Sequence, residues 1–189
     1  MLRTMRPLYR AAIFASLVLA LPVAVKGQAV RVIPKRMIRA ADATGTLSVS
    51  VTPSQVTFNL VARGAAAGNT PVSITTSWAG ATAGSVVCLY GYFGSSSTAL
   101  AGNVSGVALP TSAIFGQMTT GLPTSYTAFT QTNSIGPAGA SLKLFSQTLA
   151  ASGSGSRTDA LNLTIDLTSQ PKIPSDTYTG TLVIEAQEL

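Results

Sequence analysis

Three aspartates in the last third of the chain, Asp159, Asp166 and Asp176, are the first candidates for chemistry. A glycoside hydrolase needs two carboxyl groups roughly 5 to 10 Å apart around a sugar. Asp166 alternates with Asn162 and Thr164, Asp159 follows Ser-Arg-Thr in a turn, and Asp176 precedes Tyr178. Each therefore reads as an ordinary local hydrogen-bonding residue of a strand face or turn. Ser169-Gln-Pro-Lys172 has the letters S-x-x-K. That motif places its serine at the start of a helix, which Pro171 and Pro174 forbid here. The chain has no histidine, so Ser-His-Asp and Cys-His sites are impossible and the commonest metal ligand is missing. Cys88 is the single cysteine and sits in an apolar run, where it behaves as a small hydrophobe. These residues point to no catalytic group, no cofactor and no metal site, and hence to a protein that is not an enzyme.

Flat aromatic rings are the remaining chemistry, because they stack on sugars. Trp78, Tyr90 and Tyr92 are the leading platforms, with Tyr126 and Tyr178 behind them. Most fall inside alternating strands and read more simply as core, and Tyr178 is placed to bond back to a nearby carbonyl as a tyrosine corner. A glycan-binding face requires Trp78 and the two tyrosines to be exposed together.

The elements that must position these residues are β-strands. Ser85–Gly94 (SVVCLYGYFG) is apolar on both alternating faces and bounded by Gly and Ser, the pattern of a central strand covered on both sides. Cys88, Tyr90 and Tyr92 point one way; Val87, Leu89 and Phe93 point the other. Around it, Leu47, Val49 and Val51, then Val56, Phe58 and Leu60, then Val72, Ile74 and Thr76 alternate with polar residues as half-buried strands. Residues 100–132 mix apolar residues with Gly, Pro, Ser and Thr and predict short strands and long loops. Residues 151–156 (ASGSGS) read as a flexible connection. Leu161, Leu163, Ile165 and Leu167, and then Tyr178, Leu182 and Ile184, mark two last strands, read as an antiparallel pair. The expected fold is an all-β, immunoglobulin-like antiparallel sandwich of about eight strands.

Of the 189 residues 46% are hydrophobic and only 10% are charged, against about 25% for an average soluble domain. The net charge of +6 is concentrated early: eight of the twelve Lys and Arg residues lie at or before Arg39, and beyond it four bases face six acids. The folded part is mildly acidic, which removes the electrostatic case for nucleic acid. Arg3, Arg6 and Arg10 precede an apolar run, Ala11 to Val25, that is too short for a transmembrane helix. Residues 1–28 thus read as a secretory signal peptide, leaving no stable membrane span after cleavage and an exported chain, periplasmic, cell-surface or extracellular. Residues 29–44, with Arg31, Lys35, Arg36 and Arg39 among short apolar pieces, read as a basic flexible arm. The alternative is an arm that touches an anionic membrane surface or a partner subunit. Residues 45–189 are then the sandwich domain.

Ile173-Pro-Ser-Asp-Thr-Tyr-Thr-Gly-Thr-Leu-Val-Ile184 resembles the C-terminal strand of bacterial pilin-like domains of the spore coat protein U and chaperone-usher type. Such subunits usually carry a cysteine pair, which this chain lacks. The resemblance implies an incomplete sandwich completed by an extended segment of a neighbouring subunit, with Leu47, Val49 and Val51 as the strand-donor candidate. The functional expectation is an exported structural or adhesive surface protein, partnered by itself or by other surface subunits. The alternative is a secreted carbohydrate-binding module with a glycan as partner.

Overall fold

The computed structural model describes residues 28–39, 45–170 and 172–189. The signal-peptide reading falls outside them except for Gln28, as do residues 40–44 of the expected arm. The fold is an all-β sandwich of two sheets.

The first sheet runs in the order β11 (Ser141–Thr148), β6 (Val86–Tyr92), β13 (Tyr178–Glu188), β1 (Gln28–Arg39) and β3 (Gln55–Phe58). Beside β13 it also carries β7 (Leu100–Gly102), which pairs with β8 (Ala108–Leu109). The second sheet runs β10 (Thr127–Ala128), β9 (Ile114–Met118), β12 (Gly153–Asp166), β5 (Val72–Ala81) and β2 (Thr46–Thr52), with β4 (Ala65–Ala67) on β12. Period-2 apolar patterning drives this layering. Leu161, Leu163 and Ile165 of β12 and Tyr178, Leu182 and Ile184 of β13 all turn into the space between the sheets.

The expected faces of the central strand are found. Val87, Leu89 and Phe93 enter the main core, while Cys88, Tyr90 and Tyr92 form a second, smaller cluster with Ile135. The irregular middle is also as expected, since β7 to β10 are all short.

Four features differ from the sequence reading. The chain forms thirteen strands among the described residues, and one pair is parallel. The stretch read as a flexible arm is β1 from Gln28 to Arg39, because Val30 and Val32 find burial between the two sheets. Gly153–Ser156 is not loop but the Gly/Ser-rich opening of β12, paired with β5. The last two strands do not pair with each other. β12 lies in the second sheet and β13 in the first, since the segment between them bridges the sheets instead of closing a hairpin.

The Tyr-x-Gly pattern has a physical role at that crossing. The Tyr178 hydroxyl donates to the Pro174 carbonyl at 3.1 Å, the expected tyrosine corner, with its ring wholly buried. A Cβ on Gly180 would stand 2.0 Å from the Ala99 carbonyl oxygen, so only glycine lets the chain entering β7 lie this close to β13.

Candidate functional site

The feature built most elaborately is the groove that holds β1. Its alternation sends Gln28, Val30 and Val32 inward and Ala29, Arg31, Ile33 and Lys35 to the outer face. Along one edge β1 pairs in parallel with β13, Ala29 opposite Thr179 through Lys35 opposite Glu185. Along the other, Gln28 to Arg31 pair antiparallel with β3, and the Val32 amide donates to the Ser54 carbonyl at 2.9 Å. Burying Val30 and Val32 contributes roughly 1.5 to 3 kcal/mol apiece.

Polar side chains bracket the two valines. Gln28 is wholly buried; its Oε1 accepts from the Leu60 amide at 3.2 Å and its Nε2 donates to the Asp176 carbonyl at 3.4 Å. At the far end, Lys35 Nζ donates to the Tyr92 hydroxyl at 3.4 Å and lies 3.5 Å from Glu185 Oε2. The same carboxylate oxygen accepts from the Tyr92 hydroxyl at 2.7 Å. Glu185 is 1% exposed, and its Oε1 is buried with no hydrogen-bond partner. The Lys35 ammonium is held above its ordinary value, first by the bond to Tyr92 and then by the charges of Tyr92 and Glu185. Burial, followed by the bond to Glu185, pushes the Tyr92 phenol up.

The strand-donor candidate Leu47, Val49 and Val51 lies in β2, which among the described residues stands at the end of the second sheet and pairs with β5 alone. Leu47 is buried; Val49 and Val51 are half-buried against the core. The structure therefore puts the candidate on an edge, while the chain segment before it occupies an interior position in the opposite sheet.

The three candidate aromatics are not brought together. Trp78 belongs to β5 in the second sheet and is half-buried, its ring lying on Gly155, where a Cβ would come within 2.7 Å of it. Tyr90 and Tyr92 are on the outer face of the first sheet and buried, because the 133–140 loop folds over them. Ile135 packs on both rings' cluster, Ser134 Oγ donates to Gln187 Oε1 at 2.8 Å, and Gly136 admits the Tyr92 ring. The Tyr90 and Tyr92 rings, offered to a glycan only in the alternative reading, are covered by protein, and the half-buried Trp78 stands apart from them in the other sheet. Cys88 is buried beside them, its sulfur 3.4 Å from Ser146 Oγ.

The carboxylates are occupied too. Asp159 is a buried strand residue of β12 and not a turn residue; it receives Arg157 Nε at 2.6 Å and Nη2 at 2.8 Å, together with the Thr120 hydroxyl. The Arg157 guanidinium also donates to the Thr120 carbonyl and stands 4.8 Å above the Phe145 ring, tying the two sheets together at that end. Asp166 accepts from the Thr168 amide and hydroxyl, which lowers its pKa. Asp176 caps a distant loop: Oδ2 accepts the Ser105 hydroxyl and amide at 2.7 Å each and the Val104 amide at 3.0 Å. Those bonds, the Ser105 hydroxyl first, bring its pKa to about 2. Among the described residues, no three His, Cys, Asp or Glu side chains come together in a way that could hold a metal. Ser169 lies in the turn after β12. What this arrangement offers chemically is backbone pairing and side-chain docking along a strand groove.

Sequence reasoning missed β1 and Glu185. The available signal was the short alternation Gln28-Ala-Val-Arg-Val-Ile33 directly followed by Pro34 and two bases. Glu185 gave none, since its outward parity in the last strand reads as solvent exposure.

No protein-family model matches this chain, and no curated protein matches it. Among solved structures it has a likeness to the yeast delta-COP-I mu-homology domain, at 11% identity and a TM-score of 0.21 over 76% of this chain and 54% of that one. The chain thus spans about half the length of that domain. A superposition this loose carries no inference about fold or function.

Proposed function

We propose that the protein is an exported, non-enzymatic structural or adhesive subunit of a cell surface that assembles by β-strand addition. The observation that supports this most is β1: a strand at the start of the described chain, with its valines in the core, running parallel to the last strand. A strand held by backbone pairing in a groove between two others, with its apolar side chains in the core, is the kind that copies of a chain exchange. The exchanging strand in this reading is β1; Leu47, Val49 and Val51 of β2 instead offer an edge to which a further strand adds. The resemblance of Ile173–Ile184 to pilin-like terminal strands agrees, because that strand forms one wall of the groove.

Sedimentation velocity on the chain from Gln28 onward, combined with mixing of two fluorescently labelled populations, tests the proposal. Concentration-dependent oligomers that acquire both labels are expected. A monodisperse monomer that never exchanges label would overturn it.

A further inference from the structure

We infer that the groove between β13 and β3 selects its strand by two polar positions, so that the partner it fits is the Gln28–Arg39 segment of a second copy, held in one register. The core positions alone do not choose that register. Sliding β1 by two residues, which preserves its faces, would put Val32 and Pro34 where Val30 and Val32 now sit and Val30 where Gln28 sits. That alternative is still apolar inside, its one cost there being that Pro34 brings no N–H to the Ser54 carbonyl. It fails at the ends: the Leu60 amide and Asp176 carbonyl lose the Gln28 amide, and Met37 replaces Lys35 opposite Glu185. Glu185 is 1% exposed, has one oxygen committed to Tyr92 and the other without a partner, and draws its compensating charge from Lys35. The groups facing it among the described residues are Lys35 of β1 and Tyr92 and Tyr90 of β6, and Lys35 is the cation that pairs with it. A buried charge left alone is strongly unfavourable, which makes the pair a registry device. Sliding the opposite way would bring Gln28 into the core and Lys26 into the Gln28 site, and slides by four would bury Lys26 or Arg36. Only Gln-x-Val-x-Val-x-x-Lys satisfies every position.

This deepens the strand-addition reading and rests on it only for the step from one chain to two. Cysteine pairs separate the questions. In a Cys88→Ser background, Thr181→Cys is combined with either Arg31→Cys, its present partner, or Ile33→Cys, its partner after the slide. Cross-linking is expected at 31 in the parent, with the ratio of 33 to 31 products rising more than about tenfold on Lys35→Met and returning with Lys35→Arg. In a Glu185→Gln background, Lys35→Met should change that ratio less than about twofold. Should Lys35→Met alone not fold, recovery of folding in Lys35→Met/Glu185→Gln carries the same conclusion, and a double variant that also fails to fold overturns it. An unchanged 31-only pattern in folded Lys35→Met overturns it as well. Whether products join one chain or two is read separately on the same gel, so a protein that never exchanges strands would defeat the assembly reading without touching the register result.

Discussion

β1 and β2 follow one another in the chain, pack against each other across the sandwich, and both alternate valine with polar residues. Their situations differ completely. β1 is paired along both edges over its first residues and carries Gln28 and Lys35 in specific polar contacts. Among the described residues β2 is paired on one edge, and its side chains, Thr46-Leu-Ser-Val-Ser-Val-Thr52, include no charge, proline or glycine. The first strand is specified; the second is permissive. Charges and prolines are the usual guards of a sheet edge, so their absence from β2 leaves an edge able to accept another strand.

Placing one charge in each strand separates them most sharply. Val32→Asp buries a carboxylate with no cation among its core neighbours and should cost on the order of 3 to 5 kcal/mol, measured as a fall in the urea midpoint or outright unfolding. Next comes the wall of the β1 groove: Gly180→Ala forces the Ala99 carbonyl and β7 away from β13 and should cost about 1 to 3 kcal/mol by the same measurement. Tyr178→Phe keeps the buried ring and deletes the bond to Pro174, so a loss of about 1 kcal/mol is expected. Ser50→Lys in β2 should move the midpoint by less than about 0.5 kcal/mol, yet reduce self-association in sedimentation velocity if the edge is used.

Titration sharpens the contrast further, because Lys35, Tyr92 and Asp176 in and beside β1 ionise and β2 carries no ionisable side chain, while Asp166 at the end of β12 adds to the acid limb. Asp176 at about 2 and the lowered Asp166, against an ordinary 3.8, bind fewer protons folded than unfolded. Their stabilisation is complete above roughly pH 4 to 5 and disappears as the pH falls through 3.8 toward 2. Lys35, Tyr90 and Tyr92 are raised, so the folded chain keeps those protons longer, and their contribution is full below about pH 10 and is lost as pH rises beyond it. A denaturation midpoint measured against pH should be flat through neutrality and fall at both ends. Asp176→Asn should flatten the acid limb, while Tyr92→Phe should reduce the alkaline one.

Local reading served wherever neighbours in the chain decide the outcome. The two faces of Val86–Tyr92, the buried stripes of Leu161–Leu167 and Tyr178–Ile184, and the Tyr178 corner were all legible, since strand parity and a hydroxyl's reach to a carbonyl four residues back are short-range facts. It failed where a distant segment supplies the environment. Asp159 reads as a turn residue until Thr120 and Arg157 enclose it, and Tyr90 and Tyr92 read as open or core until the 133–140 loop covers them.

The amino-acid order by itself determined an all-β sandwich without histidine, its central strand and its terminal Tyr-x-Gly element, because alternation and residue chemistry act within a few positions. The tertiary structure alone decided that Gln28–Arg39 becomes a strand beside β13 and that Glu185 becomes a buried carboxylate needing Lys35. Parallel pairing joins residues some 150 positions apart with no turn to announce it, and its stability comes from surfaces that exist only once the remaining sheets are assembled.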